Sequence, residues 1–284
     1  LPDPDGAGAL DAPVTSFTYD TAGLLTEIEH PDASTVTFDY DSADRLLSRT
    51  DELGRTTSST YDDLDRLLSV TPPDPDGAGE LEAPVTSYTY DAVGNVLTVT
   101  DPAGGVTNYE YSDLNRLTEF TLPDPDGAGS QTAPVFSRTY TNAGQLASET
   151  DALGRTTAYA YNAVGRLTSV TQPDPDGTGP LGTAVTSFTY DHLNRLTRIT
   201  DPLSHQTDFE YNSRDWRTKQ TDADPDGGGS LTSPITQWAY NAAGQVTSVT
   251  DPLSRVTTFA YDNDGRRTSV TLPDPDGGGE LSSP

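Results

Sequence analysis

Polar and apolar positions alternate with a period of two along most of this chain. In the stretch 85–90, Thr86, Tyr88 and Tyr90 fall on one face and Val85, Ser87 and Thr89 on the other, which predicts a strand with one aromatic face. A tight turn follows Tyr90, and a second strand-like run, Val96-Leu97-Thr98-Val99-Thr100, leaves it. The same unit starts at Tyr19, Tyr40, Tyr61, Tyr90, Tyr111, Tyr140, Tyr161, Tyr190, Tyr211, Tyr240 and Tyr261, eleven copies in all. Four residues after each tyrosine stand Gly23, Asp44, Asp65, Gly94, Asn115, Gly144, Gly165, Asn194, Asp215, Gly244 and Gly265. Gly, Asn and Asp are the residues that best tolerate a left-handed backbone. A type I turn closed by one left-handed residue joins antiparallel strands, so each copy is predicted to be a β-hairpin.

The aromatic face recurs from copy to copy. Phe17 with Tyr19, Phe38 with Tyr40, Tyr109 with Tyr111, Tyr159 with Tyr161 and Phe188 with Tyr190 repeat the pair, as do Phe209 with Tyr211, Trp238 with Tyr240 and Phe259 with Tyr261. Ser59 and Arg138 interrupt the series. β-Branched and aromatic residues suit a pleated, half-buried surface. No stretch keeps a helical period.

Tyrosine spacings run 21, 21, 29, 21, 29, 21, 29, 21, 29 and 21 residues, so a 50-residue super-repeat governs the chain from about residue 61. The difference lies in the connection between copies. The short form is Asp101-Pro102-Ala103-Gly104 and its equivalents at Asp51, Asp151, Asp201 and Asp251, with the residue preferences of a type I turn; His30-Pro31-Asp32-Ala33 is the deviant first copy. The long form is Pro73-Asp74-Pro75-Asp76-Gly77 and the residues up to Pro84, recurring at Pro123, Pro173, Ala223 and Pro273. The expected fold is all-β: about 22 short strands in a repetitive antiparallel hairpin strip, wound into a spiral wall or solenoid because sheets twist. Residues 1–284 are expected to be one array, cut from a longer chain because both ends fall inside the long loop and Met is absent.

Composition narrows the function. Hydrophobic residues are 32%, below the roughly 45–50% of globular domains, which excludes a thick aliphatic core. A net charge of −28 with only 16 basic residues argues against nucleic acid and anionic membranes as partners. Acidity keeps a β-rich repeat soluble and its edges apart. There is no Cys, hence no disulfide, and no apolar run long enough to span a bilayer.

The string Tyr161-Asn162-Ala163-Val164-Gly165-Arg166-Leu167-Thr168-Ser169-Val170-Thr171, repeated from Tyr240 to Asp251, resembles the YD repeat of the bacterial Rhs family, also found in Tc toxin components and teneurins. The resemblance covers essentially the whole chain. It implies a spiralling antiparallel sheet that in the family forms a hollow shell around a toxic or sequestered polypeptide. The family's self-cleaving core segment and its variable C-terminal effector have no counterpart here, and an ordinary shell does not need the regular Pro-Asp-Pro-Asp-Gly insertions.

Those insertions are the candidate site. Asp3 with Asp5, Asp74 with Asp76, Asp124 with Asp126, Asp174 with Asp176, Asp224 with Asp226 and Asp274 with Asp276 each place two carboxylates two residues apart in a Gly-rich turn. That is how calcium loops begin, although calcium needs six to eight oxygens, and a type I turn explains the same residues with less. The aromatic pairs read as a packing ladder rather than a sugar platform. Arg45, Arg66, Arg116, Arg166, Arg195 and Arg266 follow the left-handed residue and read as solvated turn charges. His30, His192 and His205 stand in different copies at different positions, and no paired acid and base emerges, so no catalytic residue is assigned. The expected protein is a non-enzymatic structural module of an extracellular or cell-surface fibre, tube or shell. Its expected partners are further repeats, copies of itself or an enclosed polypeptide. A calcium-dependent adhesion module and a toxin-encasing shell segment are the alternatives.

Overall fold

The structure is a computed structural model that describes residues 13–77, 82–127, 129, 131–177, 182–227 and 229–274. Among the described residues it contains 22 strands and no helix. The chain divides into two compact units, Leu1–Arg138 with Asp151–Leu153 and Thr139–Thr150 with Gly154–Pro284.

The first unit carries β1 (Ser16–Tyr19), β2 (Leu25–Glu29), β3 (Thr35–Tyr40), β4 (Leu46–Thr50) and β5 (Thr56–Tyr61). It continues with β6 (Leu67–Thr71), β7 (Thr86–Tyr90), β8 (Val96–Thr100), β9 (Val106–Tyr111) and β10 (Leu117–Thr121), and takes the start of β11 (Val135–Tyr140). The second unit carries β12 (Leu146–Thr150), β13 (Thr156–Tyr161), β14 (Leu167–Thr171), β15 (Val185–Tyr190), β16 (Leu196–Thr200) and β17 (Gln206–Tyr211). It ends with β18 (Arg217–Thr221), β19 (Ile235–Tyr240), β20 (Val246–Thr250), β21 (Val256–Tyr261) and β22 (Arg267–Thr271).

Within each unit the described strands pair antiparallel with their neighbours in sequence and, among the described residues, touch no other strand, so the sheet is one layer thick. Both kinds of short connection have one geometry. In the tyrosine turn the Asp91 N–H donates to the Asn95 carbonyl at 2.9 Å and the Gly94 N–H to the Asp91 carbonyl at 3.3 Å. In the turn on the other edge the Asp101 N–H donates to Gly105 and the Gly104 N–H to Asp101, both at 2.9 Å. The fourth residue is left-handed in each, with φ 100° at Gly94 and 84° at Gly104. Ala33, Ser204 and Ser254 take the same conformation at φ 63°, 68° and 64°, held there by the ladder on both sides.

A second irregularity recurs at the tyrosine turns and is absent from the short turns of the other edge among the described pairings. Tyr90 pairs with Val96 and Thr89 with Thr98, so Leu97 has no partner and forms a β-bulge. The equivalent shift occurs at Tyr61 with Leu67, Tyr190 with Leu196 and Tyr240 with Val246. The bulge brings Val96 opposite Tyr90 and Val99 opposite Tyr88, keeping the apolar residues on the tyrosine face. At some copies the bulged residue is a threonine whose hydroxyl donates back across the hairpin, Thr197 to the Thr189 carbonyl at 3.1 Å and Thr118 to the Glu110 carbonyl at 3.1 Å.

One face of the sheet carries the aromatic, Leu and Val side chains, and most of these are half-buried. The other carries Ser and Thr, which pair across strands as Thr60 with Ser69 at 2.7 Å and Thr89 with Thr98 at 2.6 Å. Val36, 2% exposed, is the one buried side chain among the described residues. With so thin a core, cohesion rests on the backbone ladder and on side chains that tie each hairpin to the next. No helix among the described residues is long and apolar enough to cross a membrane.

Candidate functional site

The two edges of the sheet carry the chemistry. On the long-loop edge the first aspartate of each described loop accepts from the backbone of the second: Asp76 N–H to Asp74 Oδ1 at 3.1 Å, and Asp126 to Asp124, Asp176 to Asp174 and Asp226 to Asp224 at 3.2 Å. This i to i+2 bond makes an Asx turn, and the next residue, Gly77, Gly127, Gly177 or Gly227, is left-handed. The second carboxylate then caps the far half of the loop, Asp126 Oδ2 accepting from the Gln131 N–H at 3.1 Å and Asp226 Oδ2 from Leu231 at 3.0 Å. Asp274 is described, whereas Asp3, Asp5 and Asp276 lie outside the described residues. Among the described residues no three His, Asp or Glu side chains converge as a metal cage. The histidines are apart: His30 Nε2 lies 3.2 Å from Glu52 Oε1, and His205 Nδ1 lies 2.9 Å from Asp201 Oδ2.

The tyrosine-turn edge holds an arrangement that the sequence reading missed. Arg45, Arg66, Arg166 and Arg195 are not solvated charges; each clamps its hairpin to the next. Arg266 is the solvated turn charge that the sequence suggests, 73% exposed and paired with Asp262 and Asp264 of its own turn. Arg195 donates from Nε to Asp191 Oδ2 at 2.7 Å in its own turn, and from Nη1 to the Asn212 carbonyl at 2.9 Å and Asp215 Oδ1 at 2.8 Å in the following one. Its guanidinium lies 5.0 Å from the centre of the Tyr211 ring. Arg45 repeats this set with Asp41, the Asp62 carbonyl, Asp65 and the Tyr61 ring. Arg66 stacks on Tyr90 and Arg166 on Tyr190. The tyrosine hydroxyl closes the joint by donating to a carbonyl of the preceding hairpin: Tyr61 to Leu46 at 3.1 Å, Tyr90 to Leu67 at 2.7 Å, Tyr211 to Leu196 at 2.8 Å. The signal was the constant five-residue offset between tyrosine and arginine, which needs the neighbouring hairpin in view before it means a contact.

Other side chains serve the same position. Gln145 and Gln245 donate to the Gly165 and Gly265 carbonyls at 2.7 and 2.9 Å. Trp216 packs on Tyr240 with ring centres 5.3 Å apart. Arg166 is an imperfect copy: its turn opens on Asn162 rather than Asp, and its buried Nε has no acceptor. Asn162→Asp supplies the oxygen that Asp41 gives Arg45, and the expected gain is about 1 kcal/mol, read from urea unfolding.

The turn aspartates feel the same contacts. The backbone N–H groups of Arg45, Arg66 and Arg255 act first, opposed by partial desolvation and helped by the arginine side chains, and hold Asp41, Asp62 and Asp251 below the usual carboxylate range. At Asp51 and Asp262 the side chains of Arg55 and Arg266 act first, with the same direction. A depressed folded pKa adds stability that is complete above the unfolded value and lost as pH falls through the folded one. The melting temperature is therefore expected to be flat from neutral pH down to about 5 and to fall below about pH 4. A melting temperature that climbs through that acid range would contradict this.

Within each unit, single-layer antiparallel hairpins tied to their neighbours by turn side chains define a repeat protein whose recurring unit is the tyrosine turn. The chain belongs to the RHS repeat family, whose model matches residues 40–77, 85–127, 140–178, 177–205, 190–227 and 240–276. No curated protein matches it. Among solved structures, the crystal structure of TcdB2-TccC3 without its hypervariable C-terminal region is similar at 16% identity and TM-score 0.51, over 93% of this chain and 19% of that one. The Tc holotoxin pore of Photorhabdus luminescens aligns at 16% identity and TM-score 0.46, over 98% of this chain and 21% of that one. This chain thus spans about a fifth of the length of the solved chains it matches. The first likeness shows a shared fold.

Proposed function

We propose that this chain is a non-enzymatic wall module, built to line an extracellular fibre, tube or hollow shell. The observation that carries the reading is where the ligand-capable side chains are spent. The arginines and tyrosines of the turn edge hold the next hairpin, and the loop carboxylates hold their own loops. Every such contact lengthens or stiffens a sheet. The partners of such a module are further repeats or other copies of the same chain, and in the shell form an enclosed polypeptide. The fold shared with TcdB2-TccC3 supports the shell, whereas the 50-residue period supports regular winding.

Chains lengthened by one and by two further 50-residue super-repeats decide between the forms by small-angle scattering. Regular winding gives a constant cross-section and a maximum dimension that rises linearly with repeat number, as expected for a quasi-one-dimensional array. A cross-section that widens at nearly fixed length identifies a shell. Chains that collapse to a compact, irregular body overturn the wall reading.

The paired aspartates of the long loops carry the alternative, a calcium-dependent adhesion module. The wall reading expects EDTA to leave the melting temperature unchanged and millimolar calcium to give no heat in calorimetry. A lower melting temperature on chelation, with several similar sites of which one is lost when Asp74 and Asp76 are both replaced by Asn, would establish calcium instead.

A further inference from the structure

The clamps are not equally strong, and the differences follow single residues. Two junctions of the first unit make the comparison clean. The β4–β5 and β8–β9 pairs each have three rungs, Ser48 with Ser58, Arg49 with Thr57 and Thr50 with Thr56 in one, Thr98 with Asn108, Val99 with Thr107 and Thr100 with Val106 in the other. Both are closed by the same short turn. Their backbones are alike; their side chains are not.

Across β4–β5, Arg45 reaches the Asp62 carbonyl at 2.7 Å and Asp65 Oδ1 at 2.8 Å, lies 5.1 Å from the Tyr61 ring centre, and Tyr61 donates to Leu46. The Thr50 and Thr56 hydroxyls add a further bond at 2.8 Å. Across β8–β9 the clamp residue is Asn95. Its amide donates to Asp91 Oδ2 at 2.8 Å and reaches the next turn by one neutral bond, to Asn115 Oδ1 at 3.1 Å. It is too short to cover the Tyr111 ring. Among the described residues the Tyr111 hydroxyl makes no counterpart of the bond from Tyr61 to Leu46. The junction therefore lacks the cation, the ring contact and the hydroxyl bond at once.

We propose that β8–β9 is a built-in yielding joint, one that opens more readily than β4–β5 before the first unit unfolds. In an array whose stability is a sum of nearest-neighbour terms, the weaker of two junctions with matched backbones opens first. Opening here exposes two unpaired strand edges, those of β8 and β9, while the hairpins on either side stay intact. Such a joint lets a stiff sheet flex at a chosen place.

The acceptors for a full clamp are already present. Asp91 Oδ2, the Ser112 carbonyl, Asn115 Oδ1 and the Tyr111 ring correspond to the set that holds Arg195: Asp191 Oδ2, the Asn212 carbonyl, Asp215 Oδ1 and the Tyr211 ring. Asn95→Arg should close the joint without remodelling it.

Native-state hydrogen exchange on the whole chain tests this through protection factors, which remove intrinsic sequence effects. Amides of β9 in the β8–β9 ladder are expected to be protected at least tenfold less than those of β5 in the β4–β5 ladder. Asn95→Arg should raise β9 protection toward the β5 level, and Arg45→Asn should lower β5 protection toward that of β9. Equal protection in the parent chain overturns the proposal. So does a lower β9 value that Asn95→Arg leaves unchanged, because the weakness would then lie in the backbone.

Discussion

Gly244→Val is expected to cost about 3 kcal/mol and to remove the packing around Trp216. Gly244 sits in the tyrosine turn at φ 88°, where an L-residue is strained whatever surrounds it. A β-carbon there would also stand 2.8 Å from Trp216 Cζ2 and 3.2 Å from Cε2. The indole is held between Arg214, 5.2 Å from its ring, and Tyr240, so it cannot give way without opening the joint. Gly94→Val is the control: φ is 100°, but nothing lies within 4 Å of the added carbon. Its cost is expected to be the backbone strain alone, about 1–2 kcal/mol. Urea unfolding followed by far-ultraviolet circular dichroism, which reads the strands of both units, separates the two, and equal costs would show that Trp216 moves aside freely.

Arg195→Ala is expected to lower the melting temperature far more than Arg255→Ala, although both arginines pair with the first aspartate of their own turn. Arg195 is 19% exposed and Arg255 59%. The difference lies in what each loses. Arg255 gives up Asp251, within its own turn. Arg195 gives up Asp191, the Asn212 carbonyl, Asp215 and the face of Tyr211 together, and the neighbouring hairpin loses its anchor. Tyr211→Phe should fall between them, because it removes the hydroxyl bond to Leu196 but keeps the ring. Matching shifts for the two arginine variants would mean that the clamp contributes no more than an ordinary exposed ion pair.

The hairpins were legible because their causes are local. Period-two alternation names the strands, and the need for positive φ restricts the fourth residue after each tyrosine to Gly, Asn or Asp. The bulge was legible in principle as well. Leu67 and Val70, Val96 and Val99, Leu167 and Val170, and Leu196 and Ile199 are spaced by three rather than two. Only one skipped residue puts both members of each pair on the tyrosine face. Ala33, Ser204 and Ser254 were harder, since their own chemistry gives no preference for φ 63–68°. The ladder on either side imposes it.

The arginine clamp belongs to a different class. Nothing near Arg195 in sequence says that its guanidinium reaches Asn212 and Asp215, 17 and 20 residues on. Those contacts exist because antiparallel pairing sets consecutive tyrosine turns side by side on one edge. Sequence alone therefore determined the repeat, the strands, the turns and the acidic long loops, all of which follow from backbone preference and hydrophobic period. Tertiary structure decided which charges are structural, which hydroxyls close a joint and which junction is left weak, because each depends on a distance between hairpins that no local pattern encodes.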